Sequence, residues 1–255
     1  MVLAVDEERP PWWAPELPQW SDDAAAAGLQ ARARATRRAI LLAAARQFAE
    51  HGYHGSNLRE VLAASGHTKG ALYFHFSSKY ELAEALAAEL FASWEDVVAR
   101  IVARGLDPLQ TLLTCYDAYI GRFLHDPLAQ GGHRVFQDEP GLQDVRRRWI
   151  DGWQATVAGL LADAGECGLL REGIDPARVS NLVFSAVIGQ VELSQVHPEG
   201  PDLWERMNGV WLSLLPAIAT EPWVQRWRES GWAERPPPPA QCHRRDPALD
   251  VDEGP

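Results

Sequence analysis

Five junctions between residues 107 and 201 place proline where a helix can begin: Asp107-Pro108, Asp126-Pro127, Glu139-Pro140, Asp175-Pro176 and Gly200-Pro201. Proline has no N–H to donate and a fixed φ, so it suits the first turn of an α-helix and disrupts the interior of one. The spacing therefore predicts helices over 107–125, 127–137, 140–168, 176–196 and 201–219, with a short last one over 221–232. No alternating apolar/polar segment of useful length and no hairpin dipeptide between β-branched runs competes with this reading. The fold class is all-α. With 255 residues, 46% of them hydrophobic, the chain can bury a large core or a small domain docked on a larger one.

Upstream, Thr36 is expected to cap a first helix carrying Ile40, Ala44 and Phe48 at four-residue spacing, and "HGY" at 51–53 supplies the glycine that ends it. Ser56 or Asn57 caps a second, short helix that buries Leu58, Val61 and Leu62. Gly66 in "SGH" turns the chain, and Thr68 caps a third helix, "KGALYFH", before Ser77 or Ser78 opens a longer one with Leu82, Leu86, Leu90, Trp94, Val97 and Ile101 on one stripe. Gly70 inside so short a helix should cost about 1 kcal/mol against alanine. Its presence needs a reason outside helix stability.

Charge supplies one. Residues 30–80 hold eight cations (Arg32, Arg34, Arg37, Arg38, Arg46, Arg59, Lys69, Lys79) against Glu50 and Glu60, a balance of +6 in a chain whose total is −11, so the remainder carries −17. A small basic head on an acidic body suits a polyanion ligand steered to one face. Two short helices joined by a glycine turn have the spacing of a helix-turn-helix, whose second helix enters the DNA major groove. Gly70 then lets the helix backbone approach base edges. Lys69 can reach guanine or a phosphate, while Thr68, Tyr73, His75 and Lys79 have donors for phosphates, and Leu72, Phe74 and Phe76 are expected to anchor the helix to the core.

The run from Thr36 to Leu86, with Phe48, Gly52-Tyr53, Gly66, Lys69-Gly70, Tyr73-Phe74, Phe76 and Lys79, resembles the DNA-binding domain of TetR-family transcriptional regulators. "TKGALYFHF" and "DLWERMNGVWLSLLPAIA" are similar more narrowly to the γ-butyrolactone autoregulator receptors. The resemblance implies a homodimer that binds a double-stranded, pseudo-palindromic operator and is released by a small hydrophobic effector, with no cofactor. The expected DNA-binding set is Thr36, Thr68, Lys69, Gly70, Ala71, Tyr73, His75 and Lys79. The implied dimer pairs the helices at 176–196 and 201–219 with their twofold mates. Leu182, Val183, Val187, Val191, Leu203, Val210, Leu214 and Leu215 offer stripes wide enough for both a core and a partner.

In the butyrolactone receptors a tryptophan in a "WI" context lines the effector pocket, and Trp149-Ile150 matches it. Tyr116, Tyr119, Phe123, Phe136, Trp153 and Phe184 are further candidate walls, with Gln137 as a polar contact, although aromatic stripes on helices are more often core. Arg146, Arg147 and Arg148 read as a solvated face. A receptor-like protein sensing an antibiotic or biosynthetic intermediate, and a ligand-independent DNA-binding dimer, remain as alternatives. An enzyme is disfavoured: there is no G-x-S-x-G, P-loop, dinucleotide fingerprint or H-E-x-x-H. A metal site at His51, His54, His67 and His75 is disfavoured by their spacing.

The expected organisation is a Pro/Trp-rich arm over 1–30, a helix-turn-helix domain over 31–80, an effector-binding and dimerisation domain over 81–235, and a proline-rich disordered tail over 236–255. No membrane span, no secretory signal and three cysteines (Cys115, Cys167, Cys242) without C-x-x-C spacing fit a reducing cytoplasm.

Overall fold

A computed structural model describes residues 24–197 and 199–232. The described residues form ten α-helices and one 3-10 turn, with no strand. They are α1 (Ala24–Gly55), α2 (Leu58–Ser65), α3 (Lys69–His75), α4 (Lys79–Val102), α5 (Pro108–His125), α6 (Pro127–Asp138), the turn at Pro140–Leu142, α7 (Gln143–Glu166), α8 (Pro176–Val196), α9 (Leu203–Ile218) and α10 (Glu221–Glu229).

The proline junctions work as helix starts because the residue before each supplies a cap. Asp107 accepts from the amide of Gln110 at 2.9 Å, Asp126 from Leu128 at 3.0 Å and Asp175 from Ala177 at 2.9 Å. Each such cap contributes about 1 kcal/mol. Two junctions behave differently. Glu139-Pro140 opens the 3-10 turn that leads into α7, and beyond Gly200-Pro201 it is Asp202 that caps α9, through Glu205 N at 2.9 Å.

The first helix begins twelve residues before its expected cap. Thr36 lies inside α1, half-buried, because the Ala- and Arg-rich run before it favours helix strongly enough to continue through a threonine. Residues 24–30 of the expected arm are therefore helical; residues 1–23 and the expected tail over 236–255 lie outside the described residues. Gly52 breaks the helical path near the end of α1 with φ 75° and ψ 168°.

Two apolar clusters organise the molecule. The head cluster joins Ile40, Leu41, Ala44 and Phe48 of α1 to Val61, Leu72, Phe76, Leu82 and Leu86, and also takes Val135, Phe136 and Leu142 from α6 and the turn after it. The body cluster joins Trp94, Val97 and Ile101 of α4 to α5, α7, α8, α9 and α10. α4 is thus the shared beam, its first half in the head and its second in the body, and α6 lies across α1 beside it. α10 is tied back to the start of α5 by Trp223 Nε1, which donates to Asp107 at 3.2 Å.

Candidate functional site

The outer face of the head is built around α3. Gly66 adopts the left-handed conformation (φ 69°) that closes α2, and Thr68 caps α3 by accepting from Ala71 N at 3.2 Å. Asn57 caps α2 through the amides of Arg59 and Glu60, both at 3.0 Å. Ser56 is buried instead, its hydroxyl 2.9 and 2.7 Å from the carbonyl oxygens of Gln47 and Gly52. Ser78 caps α4, while Glu81 reaches back to accept from the amide and hydroxyl of Ser77. Each turn around α3 is therefore pinned by side chains.

Leu72 and Phe76 fix which face of α3 meets the core: both are 1% exposed. The opposite face carries Thr68, Lys69, Gly70, Tyr73 and Phe74, all exposed, while Ala71 and His75 are half-buried. Phe74 is 81% exposed, contrary to its expected anchoring role. Residues 72 and 76 are four apart on one stripe, so position 74 is turned roughly 200° away from each. His75 meets the Phe74 ring edge-on, with centroids 5.0 Å apart. Burial, then the charge of Arg37 and then that of His67, lower the pKa of His75 below the usual imidazole value.

Lys79 is placed differently from a phosphate-only contact. Its amine donates to the carbonyls of Tyr53 at 2.7 Å and Ser56 at 3.0 Å and lies 4.3 Å from the centre of the Tyr53 ring. It bolts the start of α4 to the connection between α1 and α2, leaving one N–H of its three for any anion. Arg32, Arg38, Arg46, Arg59 and Lys69 are exposed and carry much of the head's positive charge.

Below the head, a small cavity lies among α4, α5, α6 and α7, with room for little more than a water molecule. Four of the expected wall residues line it: Tyr119, Phe123, Phe136 and Trp149. Leu90, Trp94 and Ala129 complete its apolar wall, and Trp149 packs at 6.2 Å from both Tyr119 and Phe136. The other expected residues lie elsewhere. Tyr116 is buried between Trp153 and Trp211, Phe184 packs on the body core, and Gln137 donates to Glu192 at 2.8 Å on the surface. Trp153 lines an open groove between α4 and α7, about 700 Å³, whose walls share Trp94 and Trp149 with the cavity. Those two indoles stand between the groove and the interior.

Two polar residues in this wall escaped the sequence reading. Arg122 of α5 is 3% exposed, its Nε and Nη2 on Asp126 Oδ2 at 3.2 and 3.1 Å and Nη2 on Ser93 Oγ at 2.9 Å. His133 of α6 sits edge-on to Phe123 at 5.3 Å; burial first, then the charges of Arg146 and Arg134, push its pKa down to about 4, so it is neutral near pH 7. Arg122 Nη1, His133 Nε2 and Trp149 Nε1 are all buried with no hydrogen-bond partner within the chain. Leaving one such group unmatched costs about 1–3 kcal/mol. An arginine inside the apolar run "YIGRFL" was the available signal.

A third surface lies on α8 and α9. Val183, Val187, Val191, Leu203 and Leu215 are buried within the chain, whereas Leu182, Leu193, Val196 and Leu212 are exposed. Leu182, Ala186, Gly209, Val210, Ser213 and Leu214 line a shallow depression there. Among the described residues no helix is long and apolar enough to cross a membrane, and no group of three or more His, Cys, Asp or Glu could hold a metal ion.

Comparison with known proteins matches residues 40–86 to the model of bacterial regulatory proteins of the tetR family. The A-factor receptor protein of Streptomyces griseus is 31% identical over 190 residues, 74% of this chain and 66% of that one. The chain thus spans just under two thirds of that relative, and 34% and 33% of the next two curated ones. Among solved structures, TylP, a TetR regulator from Streptomyces fradiae, is 30% identical with a TM-score of 0.58, covering 76% of this chain and 92% of that one. A γ-butyrolactone receptor described as ArpA-like is 25% identical with a TM-score of 0.65, covering 81% and 97%.

Proposed function

The chain belongs to the TetR family of bacterial regulatory proteins, and from that premise we propose that it is a homodimeric transcriptional repressor released from its operator by a small, largely apolar effector. The observation that carries the reading is the outward face of α3, where Lys69, Gly70, Tyr73 and Phe74 stand together on the basic head. Lys69 supplies a charge for guanine or phosphate. Gly70 leaves the backbone bare, and the Phe74 ring can lie against sugar or a thymine methyl. Thr68, Ala71, His75 and the remaining N–H of Lys79 flank this face. Thr36, inside α1, belongs to the same proposed interface.

The proposed release mechanism uses two helices that touch both regions. α4 places Leu82 and Leu86 in the head core and Trp94 in the cavity wall; α6 places Val135 against the head while Ala129, His133 and Phe136 line the cavity. An effector that widens the cavity shifts both against α1. It releases DNA only to the extent that it binds the shifted conformation better, and reversing a 99:1 preference needs roughly 5.5 kcal/mol of differential affinity. The γ-butyrolactones named for a similar receptor are the first effectors to test. The protein would act in the cytoplasm, where its DNA lies.

Selection from random duplexes tests the reading without any effector. The expected product is a pseudo-palindrome with half-sites about one helical turn apart, protected as one span in footprinting upstream of the gene. Enrichment of no consensus would sink it. Dimerisation is tested separately on α8 and α9. Leu182→Arg combined with Leu212→Arg puts two charges on the exposed apolar face and should leave a folded monomer by sedimentation. Its operator affinity should fall by more than about a hundredfold, since one head alone contacts only a half-site. A double variant that still sediments as a dimer would place the interface elsewhere.

A further inference from the structure

The polar atoms of the cavity say more about the effector than its aromatic walls do. Arg122 is held in place by Asp126 and Ser93, so Nη1 is not free to swing toward water. Trp149 Nε1 is an obligate donor, and His133 Nε2 is a donor or an acceptor according to its tautomer. The wall thus offers two fixed donors and no fixed unmatched acceptor. Asp126 is already engaged by Arg122 through Oδ2 and by Leu128 N through Oδ1. After burial, the charges of Arg146 and Arg134 also act on His133. An acceptor-only head group meets both unmatched donors, and a carboxylate is the acceptor that makes the strongest, charge-assisted hydrogen bond to the guanidinium of Arg122.

Resting on the effector-released reading above, we propose that the cavity takes an amphipathic carboxylic acid. Its apolar part lies among Leu90, Trp94, Tyr119 and Phe136, and its carboxylate accepts from Arg122 Nη1 and Trp149 Nε1. The indoles of Trp94 and Trp149 must part to admit it, since they separate the cavity from the groove between α4 and α7. His133 serves the second carboxylate oxygen as an Nε2–H tautomer.

Three ten-carbon probes differing in the head group provide the test: decanoate, γ-decalactone and decan-1-ol, titrated calorimetrically into the full-length protein at pH 7. Decanoate should bind roughly tenfold more tightly than either neutral probe. Trp149→Phe keeps an aromatic wall but removes one donor; it should weaken decanoate roughly threefold to tenfold and the lactone and alcohol by less, so that the acid preference narrows. Arg122→Met should abolish the preference for the acid. If that variant does not fold, as judged by its thermal unfolding, Trp149→Phe decides. A lactone or alcohol that binds as tightly as the acid, an acid preference untouched by Trp149→Phe, or no binding by any probe would each overturn the assignment. None of these outcomes bears on the repressor reading, which operator selection without any added molecule judges independently.

Discussion

Gly70→Leu should give a protein at least as stable as the parent that binds its operator at least roughly fiftyfold more weakly. Stability and recognition part company here because of where position 70 lies. A Cβ built at Gly70 meets only Thr68 Oγ1, at 3.9 Å, an ordinary contact. Nothing in the free protein resists a side chain, and replacing glycine in α3 by leucine should gain up to about 1 kcal/mol of helix propensity. On DNA, in the proposed docking, the same side chain would stand between the helix backbone and the base edges and would hold Lys69 and the rings of Tyr73 and Phe74 away from theirs. Losing even one or two base contacts costs about 1–3 kcal/mol each. Gly70→Ala should fall between. Thermal unfolding and fluorescence anisotropy at fixed salt measure the two quantities, the salt because phosphate contacts make every affinity depend on it. Equal operator affinity in Gly70→Leu would mean that the backbone of α3 does not approach the bases.

Local chemistry explains why the helix-turn-helix could be read from sequence. Asn57, Gly66, Thr68 and Ser78 each act within three residues of themselves, so a cap or turn motif carries the information. Phe74 was misplaced because a seven-residue helix is too short for periodicity to separate an anchor from an exposed ring; only the joint burial of Leu72 and Phe76 decides it. The charge of Lys79 suggests a phosphate contact, whereas its structural role is not legible because the carbonyls it binds belong to residues 26 and 23 positions away. Of the cavity below the head, only the aromatics are legible in the sequence. Arg122, His133 and Trp149 come from α5, α6 and α7, and no spacing within any one helix announces that they share a wall. Gln137, one position along α6 from the wall residue Phe136, points instead to Glu192 of α8.

The joint between cavity and head was equally hidden, and it makes the second large prediction. Gly131 of α6 crosses α1 so closely that a Cβ there would lie 2.4 Å from Ala45 O and 2.7 Å from Ala45 Cα, both backbone atoms that cannot rotate away. Gly131→Ala must therefore lift α6 from α1. What α6 holds goes with it: Val135 and Phe136 in the head core, and the Asp138 latch that accepts from Tyr53 N at 2.8 Å. Overpacking of this kind costs typically about 1–3 kcal/mol, and valine should cost more. Because α6 also carries Ala129, His133 and Phe136 of the cavity wall, the displacement imitates what an effector would do from the other side. Gly131→Ala should consequently bind the operator roughly tenfold or more weakly with no effector present. The neighbouring glycine is the control. A Cβ at Gly132 meets the terminal Leu90 Cδ2 at 3.0 Å, a flexible methyl that can move, so Gly132→Ala should change both stability and operator affinity far less. Equal, small effects for the two variants would mean that α6 is not fastened to α1 at that crossing, and the route from effector to DNA would then have to run through α4 alone.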